Sequence, residues 1–252
     1  QGGAPPCAAG DVARPLTPHR RLNLGGNAVA SGRPVPKYDY FCVVDFECTC
    51  DTVNTKEHEI IEFPAVFVNA RTLDVDFEFH RYVRPTEIPR LTEFCMGLTG
   101  IPQDVVDAAE PLPVVLQAFA DFCRERRLAA GSRKNASRLG CWNFCVATDG
   151  PWDIRKFLSP ECERKQIVGF SDLWQRVVNI RRLFHDHFRL ERGGVADMLA
   201  RVGLEFEGRE HSGIADSYNI ARLLAVLLAN CVDVRHNLET RLDYRFPRRH
   251  YN

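Results

Sequence analysis

The stretch YFCVVDFECTC, residues 40–50, opens as a nearly continuous apolar run and ends on two acids, Asp45 and Glu47. Such a run is typical of a strand buried on both faces, deep in a mixed or parallel sheet. Residues at i and i+2 share one face of a strand, so Asp45 and Glu47 stand side by side at its end. Carboxylates there lose much of their hydration and repel each other, which is costly unless a cation or hydrogen bonds compensate. A divalent metal relieves both problems.

The same tripeptide recurs in LDVDFEFHRY, residues 73–82, as Asp76, Phe77 and Glu78. Its flanks differ. Val75, Phe77 and Phe79 alternate with Asp76, Glu78 and His80, which predicts a half-exposed strand with a solvated acidic face. Asp76 and Glu78 therefore read as surface acids, and Asp45 and Glu47 as the pair that does chemistry.

Working outward, HEIIEFPAVFVNA (58–70) and the second Asp-Phe-Glu segment read as two further strands joined by the turn-like NARTLD. PLPVVLQAFADFCRERR (111–127) has helical spacing, with Val115, Phe119, Phe122 and Cys123 on one side. LGCWNFCVATD (139–149) reads as another interior strand, and GPWDIRKFLSPEC (150–162) as a helix with Pro151 near its first turn. SDLWQRVVNIRRLFHDHF (171–188) and GGVADMLARVGLEF (193–206) are further predicted helices. SGIADSYNIARLLAVLLANC (212–231) closes the domain with a stripe of Ile220, Leu223, Leu224, Leu227 and Leu228. The order of strands and helices predicts one mixed α/β domain over residues 38–234.

At 252 residues, 45% hydrophobic and 26% charged, the chain can bury one sizeable core. No stretch approaches the ~18 apolar residues of a membrane span, and the start, on Gln1, reads as a trimmed end without the apolar segment of a secretory signal. The ten cysteines lack paired C-x-x-C spacing, and most sit in apolar runs. They read as reduced, buried thiols of an intracellular protein rather than a zinc site.

One pair of carboxylates seldom completes a site for a hard cation. Asp153 and Asp149 both lie in TDGPWD at a strand–helix junction, and Asp216 begins the last helix five residues after His211. Side chains at such junctions converge on a cleft above a sheet. HEIIE (58–62) begins like a zinc H-E-x-x-H motif, but Glu62 replaces the second histidine and the setting is a strand.

The order Asp-x-Glu on a first strand, Asp at a strand–helix junction, then His-x-x-x-x-Asp resembles the DEDDh 3′→5′ exonucleases. VVDFECTC, HEIIEFPAV, YVRP, FCMGLTGI, TDGPWDIRKFL and HSGIADSYNIARL together resemble the histone-mRNA 3′-exonuclease and enhanced-RNAi exoribonuclease branch, over residues 38–237. The resemblance implies a ribonuclease H-like mixed five-stranded sheet flanked by helices. It implies that Asp45, Glu47, Asp153 and Asp216 hold two Mg²⁺ or Mn²⁺ ions, with Glu47 and His211 catalytic and His211 the general base. Asp153 is preferred over Asp149 because it directly follows an aromatic residue. Phe46, Leu98, Thr99 and Trp152 are expected to line the pocket of the 3′-terminal nucleotide. Two metals can activate water and stabilise the leaving oxygen, and an imidazole of ordinary pKa ~6.5 can accept the proton near neutral pH.

The implied function is metal-dependent trimming of single-stranded RNA 3′ ends or short overhangs, releasing 5′-nucleotides. A DNA exonuclease is the near alternative; a catalytically silent RNA-binding component of a ribonucleoprotein is the alternative from another class. Residues 1–37 carry a net charge of +4 and residues 235–252 one of +3, leaving about −7 on the body. Both ends read as flexible basic tails which, with the basic loop Arg133–Arg138, supply unselective phosphate contacts or dock the protein on a ribonucleoprotein or ribosome. The expected compartment is cytoplasm or nucleus. Arg-rich and acid-poor, residues 1–37 also fit the remnant of a mitochondrial targeting segment.

Overall fold

The computed structural model describes residues 20–27, 32–33, 35–52, 57–128, 142–169, 171–190 and 193–239. The loop Arg133–Arg138, residues 1–19 and residues 240–252 lie outside the described residues. In chain order the elements are β1 (Tyr40–Val43), β2 (Glu47–Cys48), β3 (Ile60–Asn69), β4 (Val75–Arg84), α1 (Glu93–Thr99), α2 (Gln103–Asp107), β5 (Glu110–Pro111) and α3 (Leu112–Glu125). Then come β6 (Phe144–Thr148), a π-helical segment Asp153–Leu158 running into α4 (Ser159–Arg164), α5 (Ser171–Trp174) and β7 (Arg176–Asn179). The last are α6 (Ile180–Phe188), α7 (Val195–Arg201), α8 (Gly213–Ala229) and β8 (Leu238–Glu239).

The strands form one mixed sheet in the order β5-β4-β3-β1-β6-β7-β8, with β2 pairing on β3. Its body is the five strands of four or more residues, β1, β3, β4, β6 and β7; the others are two-residue extensions. β1 lies antiparallel to β3 and parallel to β6, and so occupies the middle of the sheet. The alternation of a strand splits its apolar run between two cores. Phe41 and Val43 face the core built on α8, α6 and α7, whereas Cys42, Val44 and Phe46 enter the core built on α3 and the π-helical segment. Being buried on both faces is why this run shows no polar alternation.

Several regions depart from the sequence reading. Residues 171–188 were expected as one helix, but they form α5, then β7, then α6. Val177 and Val178 are β-branched and fully buried, and they pair parallel with Val146 and Ala147 of β6. A free sheet edge outweighed the helical spacing around them. Residues 20–27 were read as part of a flexible arm, yet they pack on the body. Arg20 and Val75 exchange backbone hydrogen bonds of 3.0 Å in both directions, and Leu22 and Leu24 lie against the α8 core. The buried guanidinium of Arg222, which pairs with Glu207 and donates to Glu205 O, also donates to Asn23 O at 2.9 Å, so this segment supplies one of the partners of a buried charge. Residues 238–239, read as part of the C-terminal tail 235–252, pair with β7 as β8.

The second Asp-Phe-Glu is not a solvated face. Asp76 accepts from Tyr40 Oη at 3.0 Å and Asn69 Nδ2 at 2.8 Å, and Glu78 accepts from Tyr218 Oη at 2.6 Å. These acids tie β4 to β1, β3 and α8. The sequence pattern identified the polar face but not the helix lying over it.

Candidate active site

Because β1 alternates, Asp45 and Glu47 continue on the face of Phe41 and Val43, where the N-terminal end of α8 arrives. Three carboxylates meet there: one oxygen each of Asp45, Glu47 and Asp216 lie within 4.8 Å of one another. What brings α8 so close is Gly213. A β-carbon at that position would stand 2.6 Å from the Asp45 carbonyl oxygen, so only glycine lets the helix start here. The backbone N–H groups of Gly213 and Ile214 donate to the buried carboxylate of Glu62 at 3.0 and 3.2 Å. His80 Nε2 lies 2.8 Å from the same group. Glu62 thus fixes the first turn of α8 to β3.

Asp153 stands at the start of the π-helical segment, 5% exposed, and its Oδ1 accepts from the Phe46 backbone N–H at 2.9 Å. Asp149, its competitor in the sequence, is taken up otherwise. Arg181 pairs with it through both Nε and Nη2 and also donates its backbone N–H to Asp149 O at 2.9 Å. Of the two, Asp153 is the one without a cationic partner among the described residues.

The electrostatics are those of an uncompensated acidic cluster. Burial, then repulsion from Asp153, Asp216 and Glu47, holds the Asp45 carboxyl well above the usual carboxylate range. Burial and the nearby Glu62 push Glu47 up to about 8, with Arg209 opposing. Burial raises Asp153 to about 7 against the Phe46 hydrogen bond. Asp216 is likewise raised to about 7 by burial, although the backbone N–H groups of His211 and Ser212 donate to it. Its Oδ2 is buried with no hydrogen-bond partner among the described residues. An orphaned carboxylate oxygen facing two other carboxylates fits a divalent cation by charge and by donor type.

This cluster sets a pH dependence. Acids with raised pKa stabilise the metal-free fold fully below their unfolded values, near 4, and that contribution is lost as pH rises through 7–8. The melting temperature of EDTA-treated protein is therefore expected to fall between pH 5 and pH 9. Added Mg²⁺ or Mn²⁺ is expected to restore more of it at high pH than at low. Differential scanning calorimetry checks both, and a metal-free melting temperature that climbs across this range would refute the assignment.

The remaining predicted residues are placed unevenly. Trp152 is 60% exposed and, with Asp45, Asp153 and Lys156, walls a cleft of about 340 Å³. Phe46 also borders this cleft, but its ring is 5% exposed and packs on Phe63 and Trp174, so its side chain serves the core. Thr99 is 3% exposed, and its hydroxyl donates to Cys95 O at 2.9 Å and accepts from Ile101 N at 3.2 Å. That hydroxyl is spent on ending α1 and is not offered to a ligand. Leu98 is half-buried, and Arg209 donates to its carbonyl and to that of Gly97, at 3.1 and 2.7 Å. His211 lies exposed on the loop before α8 with φ 61°. A side chain adopts that left-handed region at a cost of about 1 kcal/mol, here offset by its N–H bond to Asp216. Sequence reasoning assigned no role to Arg209, Arg181 or the buried Glu62; Glu62 was noted only as the residue that spoils a zinc-motif reading of HEIIE.

Residues 42–224 match the family described as "Exonuclease". The chain is 39% identical over 206 residues to "3'-5' exoribonuclease 1" of Mus musculus, covering 79% of this chain and 56% of that protein. It thus spans little more than half the length of that relative. Among solved structures it is similar to the nuclease domain of 3'hExo, a DEDDh family member, bound to rAMP. There the TM-score is 0.73 at 35% identity, over 81% of this chain and 98% of that one. A 3'-exonuclease recognising the histone mRNA stem-loop gives a TM-score of 0.72 at 34% identity, over 81% of this chain and 68% of that one. Among the described residues, no helix is long and apolar enough to cross a membrane.

Proposed function

The chain belongs to the DEDDh exonuclease family, and on that footing we propose that it is a metal-dependent 3′→5′ exoribonuclease that trims single-stranded RNA ends. The observation carrying this reading is the convergence of Asp45, Glu47 and Asp216 within 4.8 Å, with one oxygen of Asp216 left unsatisfied. Asp45, Glu47, Asp216 and Asp153 would hold two divalent ions, Mg²⁺ or Mn²⁺. Bound there, such ions supply an activated water and neutralise charge on the scissile phosphate and leaving oxygen.

The chain's own groups do the rest. Asp153, braced by Phe46 N–H, lines the cleft with Asp45. His211, exposed on the loop before α8 with its backbone N–H bonded to Asp216, is the group we assign to accept the proton from the attacking water. The exposed ring of Trp152 offers a stacking surface for the terminal base, with Lys156 Nζ 6.0 Å from its centroid to meet phosphate. RNA is preferred because the relatives named above act on or bind RNA. The basic ends of the chain supply further phosphate contacts or dock it on a ribonucleoprotein. The free thiols of Cys42, Cys48 and Cys95 suit a reducing compartment such as cytoplasm or nucleus.

The test is a time course on 5′-labelled single-stranded RNA and the matched DNA, with Mg²⁺, Mn²⁺ or EDTA. A ladder shortening from the 3′ end, faster on RNA and absent in EDTA, is expected. Tight RNA binding with no ladder in either metal would replace this reading with that of a silent RNA-binding component.

A further inference from the structure

A second, larger cleft of about 450 Å³ lies on the other side of Trp152, and the structure leaves it without an assigned occupant. Gly150 and Trp152 border both clefts, so the two are contiguous. One wall is α6, carrying Arg181, Arg182 and His185, with Asp186 also lining it. Resting on the exonuclease reading above, we propose that this cleft is the subsite for nucleotides upstream of the scissile bond, with the arginines meeting their phosphates.

Direction follows from topology. If the 3′-terminal nucleotide occupies the cleft holding Asp45 and Asp153, any strand outside it leads toward the 5′ end. The contiguous exit past Trp152 is lined by cations. The first N–H groups of α6 are already spent: Arg181 N donates to Asp149 O at 2.9 Å and Arg182 N to Asn179 Oδ1 at 2.9 Å. The helix end therefore has little left to offer an anion, and side chains must do it.

They can. Arg182 has a side chain 67% exposed, and its nearest carboxylate, Asp186, stands 4.0 Å away at the limit of an ion pair. Arg181 commits Nε and Nη2 to Asp149, leaving the Nη1 hydrogens for a ligand. His185 lines the same wall, a half-buried ring beside the two arginines. An exposed aromatic ring with cations on both sides is the arrangement that holds single-stranded nucleic acid by stacking and phosphate contact, without reading sequence. A volume of 450 Å³ falls within the range of a small-ligand site and accommodates a nucleotide unit.

The experiment compares two substrates of the full chain: a 5′-labelled 12-nucleotide oligouridylate and the p-nitrophenyl ester of uridine 5′-monophosphate, which has no upstream nucleotide. Arg182→Glu is expected to lower the ratio of kcat/KM for the 12-mer to that for the ester by about tenfold in low salt. Arg182→Ala is expected to reduce the slope of log KM for the 12-mer against log salt by about 0.7, one phosphate contact on a single strand. His185→Ala should lower the same ratio. A ratio and salt slope unchanged in all three variants would overturn the subsite. If the wild type cleaves neither substrate, the exonuclease reading fails, and fluorescence anisotropy of the 12-mer in Ca²⁺ then decides. Weaker binding by Arg182→Glu sustains the subsite, and equal binding removes it.

Discussion

Asp45→Asn is expected to abolish 3′-end shortening, by about 10³-fold or more, and at the same time to raise the melting temperature of the metal-free protein. The two effects have one cause. Asp45 is held against Asp153, Asp216 and Glu47 in a buried setting that disfavours its charge, so the apoprotein gains when that charge is deleted. The loaded protein loses a ligand where Asp45, Glu47 and Asp216 converge. The control is Asp76→Asn, which changes the equivalent residue of the other Asp-Phe-Glu. Asp76 is bonded to Tyr40 and Asn69 and is absent from the carboxylate cluster, so activity close to wild type is expected. Parallel kinetics and calorimetry of the three proteins decide the matter. An active Asp45→Asn protein, or an Asp76→Asn protein just as dead, would show that the wrong copy has been assigned.

Much of the fold was legible because β1 is buried on both faces and says so in its composition. Phe41, Cys42, Val43 and Val44 have no polar neighbour to mark a solvent side, and this alone predicts a central strand. The π-helical segment at Asp153 and the last helix at Asp216 were legible for a related reason: each acid sits where an apolar pattern starts or stops. What the sequence hid is contact between segments far apart in the chain. No local pattern shows that Arg181 would occupy Asp149, a residue 32 positions away, and so leave Asp153 as the free acid. Nor does it show that residues 171–188 divide around β7, because Arg176 to Asn179 becomes a strand only when the edge of β6 is there to pair with it. Thr99 and Phe46 were read as ligand contacts from their position in motifs. Their side chains instead end a helix and fill a core, which spacing alone does not reveal.

The same distant contacts make Glu62 the next residue to change. Glu62→Ala is expected to lower the melting temperature by about 10 °C, corresponding to roughly 3–5 kcal/mol in a domain of this size. Three donors converge on this 2% exposed carboxylate: the N–H groups of Gly213 and Ile214 and the ring of His80. Removing it leaves helix-terminal N–H groups buried and unpaired, each costing about 1–3 kcal/mol. One effect runs the other way, since Glu62 repels Glu47 and Asp216 and its loss relieves both. Relief of that kind acts only on the metal-free state and grows with pH, so the net destabilisation should be clearest below pH 6, where the raised acids are protonated. Activity should fall further than stability. Asp216 rides on the turn that Glu62 anchors, and a displacement of ~1 Å at such a site is worth about 10²-fold in rate. Glu62→Gln separates the two roles, because it removes the charge but keeps one acceptor oxygen for the α8 backbone. It is expected to regain part of the stability while its amide N–H₂ still opposes a donor. Thermal unfolding at pH 5.5 and single-turnover cleavage with saturating Mn²⁺ measure these effects. An alanine variant with wild-type melting and wild-type rate would mean that α8 holds Asp216 in place without Glu62, through its apolar packing alone.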